Sequence, residues 1–150
     1  MNLFLLRQSL SKMKKENLIT ALKEIMEKET EILFAYLYGS YALNTIHPQS
    51  DIDVAVYFKP SDIKVYIQKE KELTAALITG LHNDRVDLRI LNTLPFLLKY
   101  KVIKEGIPIL IKDESERIDF ETMVMNRYFE LKPYLDEYNR MLLQRIKAGV

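Results

Sequence analysis

Residues 38–57 read YGSYALNTIHPQSDIDVAVY and carry the strongest structural pattern in the chain. An apolar strand ends at Gly39, one or two helical turns follow, and a loop containing Pro48 leads into a strand of alternating apolar and polar residues. These four elements are predicted over residues 31–38, 40–45, 47–50 and 51–58. The order places Gly39 and Ser40 at the junction between a strand and a helix.

Helices and strands alternate through the rest of the chain, which is typical of a small α/β (α+β) domain with helical flanks. The predicted helices cover residues 14–29, 63–79, a short stretch after Asn92-Thr93 that ends near Glu105, and 115–147; the predicted strands cover 85–91 and 107–111. Gly80 is expected to stop a helix, Pro108 to suit an edge strand, and Pro133 to kink or break the last helix. We expect one domain, with a core over about residues 14–111 and a C-terminal helical segment over about 115–147.

Composition excludes several kinds of chemistry. The 22 Lys and Arg residues nearly balance the 21 Asp and Glu residues, which argues against a protein that coats nucleic acid. The chain has no cysteine and only two histidines, so thiol nucleophiles, iron–sulfur clusters, cysteine-bound zinc and multi-histidine sites are excluded. No apolar run reaches the ~18 residues of a membrane span, and the apolar run near the start is too short for a signal peptide. We therefore expect a cytoplasmic protein with neither a membrane nor a nucleic acid as its partner.

The Gly39-Ser40 junction has the properties of an anion-binding turn. The first amides of a helix lack partners within the helix, and together with the helix dipole they attract a negative group. Glycine lets the backbone approach a phosphate closely, and the Ser40 hydroxyl adds a donor. A Gly-Ser turn alone is a weak signal, because many strand-to-helix turns contain one.

Asp51 and Asp53 stand two residues apart at the start of the second strand, so their carboxylates point to the same face. Neighbouring carboxylates repel each other, and a cation between them relieves the repulsion. Mg²⁺ suits this position because it prefers oxygen ligands and binds through one or two carboxylates together with substrate phosphates. The alternative is a solvated Asp-x-Asp at the entry of a strand.

Asp87 is a third candidate, because it lies in the middle of a predicted strand. If this strand lies beside that of Asp51, three carboxylates converge and can hold two Mg²⁺ ions for displacement at phosphorus. One ion would activate the attacking hydroxyl, and the other would hold the triphosphate and the leaving pyrophosphate. Alternatively, Asp87 forms an ion pair with Arg85 or Arg89. Arg89 shares the strand face of Asp87, so its guanidinium is also a candidate contact for a triphosphate.

A Gly-Ser turn, an Asp-x-Asp ten residues later and an acid on a later strand resemble the nucleotidyltransferase superfamily of DNA polymerase β. These features are Gly39-Ser40, Asp51, Asp53 and Asp87. The compact length and the C-terminal run resemble minimal nucleotidyltransferase (MNT) antitoxins, which are paired with HEPN-domain toxins. The resemblance covers most of the chain from about Glu31 and is sharpest at residues 39–56 and 86–92. It implies a small mixed sheet of the polymerase β type with flanking helices and a long C-terminal helical segment.

The resemblance implies a Mg²⁺-dependent protein adenylyltransferase, an antitoxin that transfers AMP from ATP to a tyrosine of a cognate HEPN ribonuclease toxin and so neutralises it. The implied catalytic residues and ligands of two Mg²⁺ ions are Asp51, Asp53 and Asp87. The candidate nucleotide-binding residues are Gly39, Ser40 and Arg89. Two alternatives stay open: a nucleotidyltransferase acting on a small hydroxylated molecule, and a non-catalytic antitoxin that neutralises by binding alone.

This chain departs from the usual family pattern at the turn. The family commonly reads Gly-Ser-x-Ala-Arg-Gly, whereas this chain has Leu43 and Asn44 in the last two positions. Asparagine tolerates a positive φ, so the backbone turn is expected to survive. Leu43 removes one possible contact with phosphate or a partner.

The C-terminal helical segment is the candidate surface for the partner toxin. Apolar residues at helical spacing predict packing on the domain: Phe120, Val124, Tyr128, Leu131, Leu135, Tyr138, Leu142 and Ile146. Further aromatic and methionine side chains broaden this stripe: Met123, Met125, Phe129, Tyr134 and Met141. Such a surplus suits an exposed binding face. The alternative is a helix that is buried in its own domain.

Overall fold

The computed structural model describes residues 2–47 and 49–149, and Pro48 of the predicted loop lies outside the described residues. Helices and strands alternate along these residues as predicted. The helices are α1 (Leu3–Glu27), α2 (Ser40–Leu43), α3 (Ile63–Leu81), α4 (Phe96–Glu105) and α5 (Glu114–Lys147). The strands are β1 (Ile32–Tyr38), β2 (Ile52–Phe58), β3 (Val86–Ile90) and β4 (Ile107–Ile111), with a 3₁₀ turn at Leu91–Thr93.

The four strands form one mixed sheet in the order β3-β2-β1-β4. β1 is antiparallel to both of its neighbours, whereas β2 and β3 are parallel. Parallel neighbours need a crossover connection, and α3 provides it between β2 and β3. β4 lies at an edge of the sheet, where a proline such as Pro108 is tolerated. The predicted fold class, a mixed sheet with flanking helices and a long C-terminal helix, is confirmed.

The alternation of side chains along the strands divides the core into two layers. On one face α1 and α3 cover the sheet, and Leu22 and Leu77 are fully buried there. On the other face α4 and the first turns of α5 cover it, and Val102 and Ala55 are buried there. Because residues two apart in a strand share a face, Asp53 lies on the same face as Ala55, the side covered by α4.

The structure corrects two predicted helix boundaries. α1 begins at Leu3 instead of residue 14, because Asn2 caps it by accepting a hydrogen bond from the Phe4 amide at 3.0 Å. The expected stop at Gly80 is wrong, since α3 continues to Leu81.

Gly80 serves helix packing and does not end α3. A Cβ at Gly80 would lie 2.5 Å from Cδ1 of Ile25, so the missing side chain lets α1 and α3 approach closely. The helix ends at His82, which adopts the left-handed conformation with φ 50° and ψ 39°. His82 therefore turns the chain at the end of α3.

The expected break at Pro133 is also wrong, because α5 is continuous from Glu114 to Lys147. Proline removes one backbone donor, and the hydrogen bonds of the flanking turns hold the helix together across it. Only the first part of the predicted stripe packs on the domain, where Phe120 and Val124 are buried. Farther along, exposed apolar side chains include Tyr134, Tyr138, Met141, Leu142, Leu143 and Ile146. Neither α5 nor any other helix in the described part of the chain is long and apolar enough to cross a membrane.

A buried polar contact fastens α5 to the sheet. The Tyr36 side chain is 1% exposed, and its hydroxyl donates to Glu121 on α5. Glu121 also accepts a hydrogen bond from Arg117 at 2.9 Å. Burial and the adjacent Glu121 carboxylate raise the pKa of Tyr36 well above its ordinary value, so the phenol stays a donor.

Replacing Glu121 by alanine is expected to lower the free energy of unfolding by about 1–3 kcal/mol, because the buried Tyr36 hydroxyl then lacks its acceptor. Urea denaturation followed by circular dichroism measures the change. Adding Tyr36→Phe to Glu121→Ala should recover part of the loss, since the unsatisfied hydroxyl is then absent. Equal stability of Glu121→Ala and wild type would show that this contact does not hold α5 in place.

Candidate active site

Gly39 joins β1 to α2 in a backbone conformation that favours glycine, with φ +71° and ψ −150°. A Cβ at this position would overlap Oδ2 of Asp53 and lie 3.1 Å from its Cγ. The Gly39 carbonyl accepts hydrogen bonds from the amides of Ala42 (3.1 Å) and Leu43 (3.0 Å). The turn that the sequence predicts to bind an anion therefore packs directly against the Asp53 carboxylate.

Asn44 ends α2 in the left-handed conformation, with φ 58° and ψ 32°, and its amide donates to the Ser40 carbonyl. The expectation that asparagine preserves the turn is confirmed. Lys15 reaches the turn from α1, and its Nζ donates to the Ala42 carbonyl (3.1 Å) and to Oδ1 of Asn44 (3.2 Å). Leu43, in the position where a basic residue is usual, is 49% exposed. The turn is thus held by α1 as well as by its own backbone.

Tyr38, Asp53 and Asp87 form a row across three neighbouring strands. Asp53 pairs with Tyr38 in the antiparallel β1–β2 ladder and with Asp87 in the parallel β2–β3 ladder. Residues paired across neighbouring strands present their side chains on one face. The strand of Asp87 therefore lies beside that of Asp53, and two of the three candidate acids face the same side as α4.

Asp51 is the residue immediately before β2 and is exposed, whereas Asp53 within the strand is half-buried. Two hydrogen bonds fix the start of β2. The Ile52 amide donates to the Arg85 carbonyl (2.8 Å), and the Arg85 guanidinium donates to the Gln49 carbonyl (3.0 Å). Arg85 therefore holds the loop before β2, and the alternative in which it pairs with Asp87 is wrong.

Asp87 forms an ion pair with Arg89, the second of the two partners that the sequence suggests. Nε of Arg89 lies 3.1 Å from Oδ1 of Asp87, and the two side chains are 54% and 40% exposed. The candidate nucleotide-binding residue Arg89 is thus joined to a candidate metal ligand. Within residues 2–47 and 49–149, no three His, Asp or Glu side chains are already gathered into a metal-binding group.

Charge repulsion at Asp53 nevertheless fits a cation site. Burial, then Asp87, then Asp51 raise the pKa of Asp53 to about 6, while Lys101 and Arg89 act in the opposite direction. Both other acids are therefore within electrostatic reach of Asp53. A divalent cation held by oxygen ligands would relieve this repulsion, so the donor set suits Mg²⁺.

Two residues near the site were not predicted from the sequence. Tyr38 is half-buried, and burial, followed by the charges of Asp53 and Asp87, raises its pKa to about 12. Its position before Gly39 is a signal that could have identified it, because antiparallel pairing of β1 with β2 places it opposite Asp53. Lys101 on α4 acts electrostatically on Asp53. No sequence pattern marks Lys101, since its place depends on how α4 packs on the sheet.

The raised pKa of Asp53 predicts a pH-dependent stability of the metal-free protein. Because the folded state holds this proton more tightly than the unfolded chain, stability should fall as pH rises from about 4 to 6. Asp53→Asn should therefore melt a few degrees above wild type at pH 8, and this difference should vanish below about pH 4. Added Mg²⁺ should raise the melting temperature of wild type more than that of the variant.

Differential scanning fluorimetry across this pH range measures both effects. Asp84→Asn is the matched control, because Asp84 is an exposed acid in the turn before β3. An Asp53→Asn variant that melts below wild type at pH 8 would contradict the repulsion inferred at the site.

Comparisons with known proteins identify one family and several solved structures to which the chain is similar. The family described as polymerase beta, nucleotidyltransferase, matches residues 20–115. No curated protein matches the chain.

Several solved structures share the fold. A chain in a toxin–antitoxin crystal structure with AMP-PNP superimposes with a TM-score of 0.68 at 22% identity, covering 83% of this chain and 98% of that one. A chain of the MntA-HepT toxin–antitoxin gives 0.63 at 19% identity, over 85% and 98% of the two chains. A chain in the complex of a tri-AMPylated Shewanella oneidensis HEPN toxin with an MNT antitoxin gives 0.60 at 20% identity, over 89% and 98%. At these identities the likeness establishes a shared fold.

Proposed function

Because the chain belongs to the polymerase β nucleotidyltransferase family, whose match covers residues 20–115, we propose that it is an antitoxin that transfers AMP from ATP to a tyrosine of a HEPN ribonuclease toxin. Two of the similar structures support the nucleotide and the acceptor. One is a toxin–antitoxin with AMP-PNP, and another contains a tri-AMPylated HEPN toxin. Adenylylation of the toxin would neutralise it.

The observation that carries this proposal is the contact between the Gly39 turn and the acidic row. The Asp53 carboxylate packs on Gly39, and Asp53 pairs with Asp87 on the next strand. A triphosphate bound by the turn would therefore have carboxylates beside it, as metal-assisted displacement at phosphorus requires. A solvated Asp-x-Asp does not account for a half-buried carboxylate held against a glycine turn.

Each residue of the site then has a role. Gly39 and Ser40 bind the triphosphate through backbone amides and the Ser40 hydroxyl. Asp51, Asp53 and Asp87 would hold two Mg²⁺ ions, which would neutralise charge on the triphosphate and lower the pKa of the attacking hydroxyl. Arg89 keeps the Asp87 carboxylate in position at the edge of the row.

The transfer of AMP needs no reactant other than ATP and the acceptor tyrosine. A bond forms between the tyrosyl oxygen of the acceptor and the α-phosphorus of ATP, and the bond from that phosphorus to the bridging oxygen breaks. Pyrophosphate leaves with the bonding electrons, and the phenolic proton passes to the Asp87 carboxylate. Asp87 suits this step because it lies on β3, on the side of Asp53 away from the turn that binds the triphosphate.

The distal part of α5 is the proposed contact surface for the toxin. Past Pro133 most of its apolar side chains are exposed, including Tyr138 (65%) and Ile146 (65%). Aromatic and methionine side chains are enriched at the centres of protein interfaces. An antitoxin that modifies a protein must hold that protein, and this helix offers an apolar surface outside the catalytic row.

Incubating the purified chain and Mg²⁺ with its cognate HEPN protein and labelled ATP tests the proposal. Label in the α-phosphate should appear on the HEPN protein, whereas label in the γ-phosphate should not, because the γ-phosphate leaves with pyrophosphate. EDTA should abolish the transfer.

The same experiment separates the two alternatives. Neutralisation of the toxin in EDTA, with no label transferred, would favour an antitoxin that acts by binding alone. Transfer to a small hydroxylated molecule but not to the HEPN protein would favour the small-molecule enzyme. Either result would overturn the proposed reaction.

A further inference from the structure

The basic side chains around the candidate site differ in how they are engaged. Lys15 donates to the backbone and side chain of the turn, Arg85 to the Gln49 carbonyl, and Arg89 to Asp87. Residues 39–44, which form the turn, include no basic side chain. Lys101 on α4 is exposed and has no ion-pair or hydrogen-bond partner among the described residues. The site therefore has a nearby positive charge that the fold itself does not use.

The packing of α4 explains how Lys101 comes to the site. Val102 is 1% exposed and anchors the helix on the same layer of the core as Ala55 and Tyr36. The end of the helix meets β1 at Gly106, where a Cβ would lie 3.4 Å from the Leu37 carbonyl oxygen. Since Leu37 is two residues before Gly39, the C-terminal half of α4 lies along the strand end that carries the turn.

Lys101 does not pair with the acidic side chain one helical turn away. Glu105 lies four residues later, at a spacing that commonly allows an ion pair. No such pair forms, and Oε2 of Glu105 is buried without a hydrogen-bond partner among the described residues. Of the positive charges that lower the pKa of Asp53, that of Lys101 has the largest effect.

We propose that Lys101 binds the triphosphate of the nucleotide and so supplies a positive charge that no residue of the turn itself carries. This inference rests on the proposed function, because it assumes a triphosphate at the Gly39 turn. ATP brings several negative charges next to three carboxylates, and a lysine ammonium is a common point-charge partner of phosphate. The contact made by Lys101 is to the β- and γ-phosphates, which lie toward the turn and leave as pyrophosphate.

Binding measurements with two nucleotides test the role of Lys101. Lys101→Met should weaken binding of AMP-PNP in Mg²⁺ by about tenfold or more, because a charge-assisted contact is lost. Binding of AMP, which lacks the β- and γ-phosphates, should change less than about twofold. Lys101→Arg should keep most of the affinity for AMP-PNP, since the charge remains. Isothermal titration calorimetry measures these dissociation constants for wild type and for both variants.

Lys104→Met is the matched control, because Lys104 lies on the same helix with its Nζ 6.0 Å from the centre of the Tyr100 ring. This variant should bind AMP-PNP like wild type. Equal binding of AMP-PNP by Lys101→Met and wild type would overturn the inference, as would an equal loss of AMP binding. A wild-type chain that binds no AMP-PNP would instead overturn the proposed function, so the two failures are distinguishable.

Discussion

Replacing Asp53 by asparagine is expected to reduce AMP transfer about 10³-fold or more, because a carboxylate at the centre of the acidic row becomes neutral. Asp53 packs on the Gly39 turn and pairs with Asp87, so it is the acid that links the phosphate-binding backbone to the rest of the site. Asparagine has nearly the same shape, and removal of the repulsion should leave the metal-free fold intact or more stable. The loss of activity would then report on chemistry and not on folding.

We compare the rates of AMP incorporation into the acceptor for wild type and Asp53→Asn. Each protein is used at the same concentration. Asp84→Asn, which changes an exposed acid outside the row, should transfer AMP at the wild-type rate. An Asp53→Asn variant that is folded and fully active would remove Asp53 from the catalytic machinery.

Gly39→Ala is expected to reduce transfer by about 100-fold, because a displacement of about an ångström at a catalytic group has an effect of that size. The added Cβ would overlap Oδ2 of Asp53, so either the turn or the carboxylate must move. Alanine would also be strained at φ +71°. Backbone strain of this kind costs about 1–3 kcal/mol of stability, so the variant should also unfold at a lower urea concentration.

Gly149→Ala separates the two contributions of Gly39→Ala. Gly149 has a similar φ of +72°, but no atom of the residues that the structure describes lies within 4 Å of the Cβ that it would gain. This control should therefore show the effect of backbone strain without any contact to an acid, and its transfer rate should equal that of wild type. Full activity of Gly39→Ala would contradict the close packing of the turn against Asp53.

Much of this fold could be predicted because its elements follow local rules. Alternation identified β2 and β3, and the apolar run before Gly39 identified β1. The tolerance of asparagine for positive φ anticipated the conformation of Asn44. The predicted acidic site depended on one condition, that the strands of Asp53 and Asp87 are neighbours. The parallel pairing of β2 with β3 meets it.

The wrong expectation at Gly80 and the omission of Lys101 depend on tertiary packing. The sequence alone suggests that Gly80 ends a helix. In the structure Gly80 lies within α3, where its lack of a side chain allows Ile25 to approach closely. Pro133 reads as a break, yet α5 continues through it. Lys101 has no local signature, because its relation to Asp53 arises only when α4 lies on the sheet.

The most direct test of the central claim is the intact mass of the cognate HEPN protein after co-expression with this chain. Co-expression with wild type is expected to raise the mass by one or more AMP groups, each mapping to tyrosine. Co-expression with the Asp51→Asn/Asp53→Asn double variant should leave the mass unchanged. An unmodified HEPN protein beside the wild-type chain, or equal modification beside the double variant, would contradict the account.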